Sequence, residues 1–111
     1  MLYFNKKNPN DISIFVSDKT TVENIKIVLK GEITKGVVEM QPLFTINNNK
    51  LTIDKSNFAN LENDVYYLEV LINTDGEDKV IGADFLNVFN KKVAKTFYES
   101  YINHKQYEKH D

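Results

Sequence analysis

The sequence predicts a mainly β chain: an antiparallel β-sandwich of about seven short strands over residues 1–90, then an amphipathic α-helix and frayed tail over 91–111. Three observations lead there. From Val65 to Ile72, Tyr66, Leu68, Val70 and Ile72 alternate with Tyr67, Glu69 and Leu71, the period of two of a strand with one face in a core. Turn signals punctuate the chain at short intervals: Asn8-Pro9-Asn10, Gly31 and Gly36, Asn47-Asn48-Asn49-Lys50 and Asp75-Gly76. After Asn90 the period changes, and Val93, Ala94, Phe97, Tyr98, Tyr101 and Ile102 recur at spacings of three and four opposite Lys92, Lys95, Glu99 and Lys105.

The elements follow in order. Leu2-Tyr3-Phe4 is a short edge strand or arm, ended by the turn cluster that holds Pro9. Asp11 to Val16 puts Ile12, Ile14 and Val16 on one face with Ser13 opposite. Ser17 to Thr21 is polar loop, where Thr20 and Glu23 have the spacing of a helix capping box and fit one helical turn. In Ile25 to Lys30 the β-branched content favours a strand with Ile25, Ile27 and Leu29 inward. Glu32 to Lys35 is a hairpin connection, and Val37 to Gln41 is extended up to Pro42. Leu51 to Ile53 is a strand after the Asn turn. Ser56 to Leu61 closes a helical turn at a corner, with Phe58 and Leu61 plugging the end of the core. Val65 to Ile72 lies centrally. A hairpin through Asp75-Gly76 returns as Lys79 to Phe89, with Gly82 marking a bulge or a close backbone crossing.

Composition narrows the function classes. A chain of 111 residues makes one domain, and 41% hydrophobic residues with seven Phe and six Tyr suffice for a packed interior. Fourteen Lys stand against no Arg. Arg is the side chain that grips guanine edges and phosphates with two bonds, so sequence-specific nucleic-acid readout is not expected. The lack of Cys removes disulfides and thiolate chemistry. No apolar run reaches membrane-span length, and the first residues lack the pattern of a signal peptide, so a soluble, non-exported protein is the expectation.

No residue is assigned a catalytic, cofactor-binding or metal-binding role. His104 and His110, the only imidazoles, both fall in the tail, away from the carboxylates between strands. Phosphate-cradling Gly loops, nucleophile elbows and zinc-protease motifs are absent from the sequence. Asp75-Gly76-Glu77-Asp78 fits a hairpin turn or, with its incomplete ligand series, a weak cation site. Glu62 and Asp64 suit a corner better than the acid pair of a glycosidase. Aromatic surface is the remaining signal: Tyr3 and Phe4 in the arm, and Phe97, Tyr98, Tyr101 and Ile102 in the tail, are the candidate partner-binding residues. The tail stripe fits docking on the chain's own sheet as well as on another protein.

The corner sequence Leu61-Glu62-Asn63-Asp64-Val65-Tyr66-Tyr67-Leu68 resembles the start of the penultimate strand of an immunoglobulin-like sandwich. There, the first Tyr hydrogen-bonds back over the corner, which makes Asp64 and Tyr66 structural corner residues. From Leu51 to Phe89 the succession of strand, corner, strand, Asp-Gly turn and returning strand resembles immunoglobulin-like modules in tailed-phage virion proteins of baseplate, head-fibre and capsid-decoration type. Leu68 stands where antibody domains carry the second core Cys, and the usual core Trp is missing. The resemblance implies a non-enzymatic structural protein in the virion, assembled in the host cytoplasm, whose partners are other virion proteins or copies of itself. An adaptor or inhibitor of a host protein and a carbohydrate-binding sandwich are the alternatives.

Overall fold

The computed structural model describes residues 1–17 and 24–92. Within them the chain is mainly β and forms two sheets. The strands are β1 (Leu2–Asn5), β2 (Ile12–Phe15), β3 (Ile25–Gly31), β4 (Val37–Met40), β5 (Phe44–Asn47), β6 (Lys50–Ile53), β7 (Asp64–Thr74) and β8 (Glu77–Phe89). One sheet has the order β1-β8-β7-β3-β4 and the other β2-β6-β5. All neighbours are antiparallel except β1, which runs parallel to β8 at the sheet edge.

This is one strand more than the spacing predicts. The addition is β5, a four-residue strand in which half-buried Phe44 and Ile46 alternate with exposed Thr45 and Asn47. It lies just past Pro42 and runs straight into the Asn turn, so turn residues at both ends obscure its period. Leu2 to Phe4 does form an edge strand, and β7 does lie at the centre of its sheet. The capping-box turn at Thr20–Glu23 and all but the first two residues of the helix predicted over 91–111 fall outside the described residues. Asn90, Lys91 and Lys92 follow β8 without regular secondary structure.

Alternation sets which residues meet between the sheets. Ile12, Ile14, Leu51 and Ile53 of the smaller sheet face Phe4, Ile25, Ile27, Leu29, Tyr66, Leu68, Val70, Leu86 and Val88 of the larger, and all are buried. Burying such side chains is the main favourable term in folding, worth roughly 1.5–3 kcal/mol for each Val, Leu, Ile or Phe. Phe58 and Leu61 close one end, with the Phe58 ring 5.5 Å from that of Phe4. A 3-10 turn over Lys55–Phe58 delivers Phe58 there, capped by the Asp54 side chain, which accepts from Ser56 N at 3.0 Å.

The turns explain the registers. Asp75 and Gly76, with φ of 52° and 84°, form a two-residue connection between Thr74 and its partner Glu77, the left-handed pair a hairpin of this twist requires. Asn48 takes φ of 56° in the β5–β6 hairpin. A β-bulge follows in β8: Val70 pairs with Gly82 but Leu71 with Val80, so Ile81 has no partner and turns into the core. The bulge is also where β2 leaves its sheet, because Val16 N donates to Asn49 O and Ser17 N to Ile81 O, both at 2.8 Å. Gly82 faces this crossing, and a Cβ there would sit 2.8 Å from Phe15 O.

Urea unfolding checks this packing. Leu68→Ala should lower stability by about 2–5 kcal/mol, and Gly82→Ala by about 1–3 kcal/mol because backbone must shift. Val80→Ala, on the solvent side, should stay within about 0.5 kcal/mol. Comparable losses at all three positions would contradict the assigned faces.

Candidate functional site

Two features stand out, a rigid corner before β7 and an aromatic outer face on the five-stranded sheet. The corner is built around Asp64, which is 3% exposed. Its carboxylate accepts from Ile33 N (2.9 Å), Thr34 N (2.9 Å), Thr34 Oγ1 (2.8 Å) and Val65 N (2.7 Å). Burial by itself would raise this acid's pKa. The donors from Thr34, Ile33 and Val65 outweigh that and hold it at about 2, against an ordinary 3.8. Residue 31 has to be small, since a Cβ on Gly31 would collide with the same carboxylate.

Asp64 thereby ties the β3–β4 connection to the corner. That connection is closed by Gly31 N donating to Gly36 O at 2.8 Å, and Glu32 N donates to Val65 O at 2.9 Å. Tyr66, two residues on, donates its hydroxyl to Glu62 O at 2.7 Å and packs its ring in the core. Burial raises its phenol pKa, and the charges of Asp64 and Glu62 add to the effect. An acid with four donors and a depressed pKa is a poor general acid, so the corner is built to hold shape rather than to move protons. The reach of Asp64 back to Ile33 and Thr34 is absent from the sequence reading. Gly31 and Thr34, a bare position and a hydroxyl in one tight connection, are the signal that points to it.

The outer faces of the two sheets differ. On the smaller sheet the outward residues include Ser13, Thr45, Asn47, Lys50 and Thr52, with Ser13 Oγ and Thr52 Oγ1 sharing a hydrogen bond at 3.1 Å. Phe15 is the exposed apolar exception. On the larger sheet Tyr67 and Phe85 are cross-strand partners with ring centroids 5.3 Å apart, yet 39% and 48% exposed. Exposed Tyr3, Val37 and Val80 lie on the same side, beside half-buried Val65 and Leu71. Lys30 and Glu69, 3.7 Å apart, interrupt it on the β3 side.

The candidate contact residues of the arm are divided by this geometry. Tyr3 points outward, whereas Phe4 is 1% exposed and belongs to the protein's own core, because successive side chains of a strand take opposite faces. Its assignment as partner-binding surface is corrected accordingly. Phe97, Tyr98, Tyr101 and Ile102 lie outside the described residues. Asp78 at the β7–β8 hairpin is engaged by Lys26 Nζ at 2.8 Å and Asn73 Nδ2 at 3.3 Å, and among the described residues no three His, Asp or Glu side chains converge as metal ligands. A depression of about 230 Å³ beside the smaller sheet is lined in part by Asp11 and Asp54, but these carboxylates accept from Lys55 N (2.9 Å) and Ser56 N (3.0 Å). It is smaller than most small-molecule sites.

The corner makes two predictions. Asp64 contributes stability in full above its unfolded pKa near 3.8 and loses it as pH falls through about 2. Asp64→Asn should therefore cost at least about 2 kcal/mol at neutral pH, where it leaves buried donors poorly matched. The gap between wild type and variant in urea midpoint should narrow from pH 4 to pH 2; a constant gap would show that the carboxylate charge contributes nothing. Tyr66→Phe should cost about 0.5–1.5 kcal/mol with the fold retained by circular dichroism.

Comparison with models of protein families finds no match, and comparison with curated proteins finds none either.

Proposed function

We propose that this chain is an immunoglobulin-like β-sandwich module of a tailed-phage virion, a non-enzymatic structural component of auxiliary capsid or head-fibre type. It acts by binding other virion proteins or copies of itself, and it resides in the particle assembled in the host cytoplasm. A C-terminal amphipathic helix completes the module, and its stripe of Phe97, Tyr98, Tyr101 and Ile102 adds to the contact surface.

The fold part of this reading draws support from strand order. β3, β7 and β8 correspond to the C, F and G strands of an immunoglobulin-like sandwich with β4 as C′, and β2, β6 and β5 to B, E and D. The Tyr66 bond to Glu62 O corresponds to the tyrosine corner at the start of strand F. Leu68 takes the place of the second Cys and is completely buried, so apolar packing does the work of the absent bridge.

The observation that carries the functional part is the asymmetry of the outer faces. Apart from exposed Phe15, hydroxyls, amides and a lysine make up one side, while Tyr3, Tyr67, Phe85 and Val80 stand exposed on the other. Aromatic rings supply large contact area with little side-chain entropy to lose, and they are enriched at protein interfaces. In a particle that repeats each module many times, modest contacts of this kind add through avidity.

Particles purified from a lysate of the source phage by density gradient, then quantified by mass spectrometry, provide the test. The chain should band with the particles at a fixed ratio to the major capsid protein, and a Tyr67→Ser, Phe85→Ser variant should fall at least tenfold below that ratio. A chain absent from banded particles would falsify the virion reading.

A further inference from the structure

The two lateral sides of the sandwich are not alike. Where β1 and β2 form the sheet margins, their inward residues Phe4, Ile12 and Ile14 are buried. Where β4 and β5 form them, the inward residues Val38, Met40, Phe44 and Ile46 pack against the core yet stay half-buried. β4 carries exposed Glu39, a charge of the kind that blunts a sheet edge. β5, Phe44-Thr45-Ile46-Asn47, has no charge, no Pro and no bulge.

Alternation decides which backbone groups of β5 face outward. Asp54 N donates to Leu43 O at 2.9 Å, and Asn47 pairs with Lys50 across a two-residue turn, so Leu43, Thr45 and Asn47 are the positions that bond to β6. The N–H and C=O groups of Phe44 and Ile46 therefore point to the open edge, and among the described residues no backbone bond from outside the strand reaches them.

A free strand edge accepts another strand, and here the register and the partner follow from the same residues. Two copies of β5 set antiparallel about Thr45 place Phe44 of each opposite Ile46 of the other, and each such pair exchanges both of its free bonds. On the inner side Phe44 and Ile46 cover one another across the junction, an aromatic and a β-branched side chain that pair well. On the outer side Thr45 meets Thr45, and no like charges are opposed. The ends agree. Asp11 and Asp54 lie at the Leu43 end of the smaller sheet, with Lys55 offsetting one of them, and Lys50 lies at the Asn47 end. Antiparallel pairing brings the basic end of one copy to the acidic end of the other. A contact made by the same strand on both partners closes on a two-fold axis, so it stops at a pair.

We propose that β5 is a self-association edge: a second copy of this chain adds its own β5 antiparallel to Phe44–Asn47, centred on Thr45, and joins the two smaller sheets into one continuous sheet. The contact uses none of Tyr3, Tyr67, Phe85 and Val80, and so goes beyond the proposed function.

The chain has no Cys, so Thr45→Cys gives the full-length protein a single thiol. Directly opposed residues that do not exchange backbone bonds lie about 4.5 Å apart at Cα, within disulfide reach, so mild oxidation should link Thr45→Cys into a covalent pair. Asn47→Cys, on the same outer face but off the axis, should link about tenfold more slowly. Sedimentation equilibrium of the unmodified chain should give twice the single-chain mass. Thr45→Lys opposes two ammonium groups without touching the bonds to β6, and it should weaken the association about tenfold while circular dichroism stays unchanged. A single-chain mass at concentrations up to roughly 1 mM overturns the proposal. Equal linking of the two Cys variants overturns the register and with it the proposal. A pair that survives Thr45→Lys but is lost in Tyr67→Ser, Phe85→Ser overturns it too, and names the aromatic face as the self-contact. No particle enters this experiment, so it and the virion reading fail independently.

Discussion

The described fold turns on one buried carboxylate that has no cationic partner among the described residues. Asp64 is buried at the mouth of the central strand, and among the described residues its charge is stabilised by donors from the β3–β4 connection and its own neighbour Val65. Leaving an ionised group in such a place costs far more than any single hydrogen bond returns. Its bonds therefore have to be made together, and together they fix the β3–β4 turn, the start of β7 and the absence of a side chain at Gly31. The Tyr66 hydroxyl then spans the same corner from below. Surface pairs such as Lys26 with Asp78 are of another kind, being half exposed and screened by water.

Elements whose signal is local were legible in the sequence. β7 is long and alternates cleanly, and Asp75-Gly76 and Asn48 sit where left-handed backbone is needed, so strand and turns are readable without knowing their neighbours. Gly82 was readable as marking a bulge or a crossing, and it stands beside the bulge at Ile81 and against the backbone of Phe15. What escaped depends on distant partners. β5 is a strand because β6 pairs with it, and four residues carry too short a period to announce that. Phe4 and Tyr3 are adjacent aromatics in an arm, and only the register of β1 on β8 decides which is core. The Asp64 bonds join residues thirty positions apart, a separation no local pattern encodes.

The aromatic outer face shows the same division. Tyr67 was readable as alternating with the core residues of β7, but its ring-to-ring contact with Phe85 follows only from the pairing of β7 with β8. An isolated exposed aromatic carries little information about function. Several on one sheet face, opposite a face of hydroxyls and amides, form a surface with a direction. A β-sandwich offers such a surface at low cost to stability, since its core is filled by the alternate residues of the same strands.

The pairing of β1 with β8 has a consequence for how the protein is made. Leu2 to Asn5 lie against Leu86 to Phe89, so β1 is synthesised well before β8 and has no place until β8 follows. Contacts this far apart along a chain are slow to form, because a large loop must close before they return any energy. Phe4 therefore lacks its strand partner until β8 has been made, and a nascent chain of this design is vulnerable to aggregation over that interval.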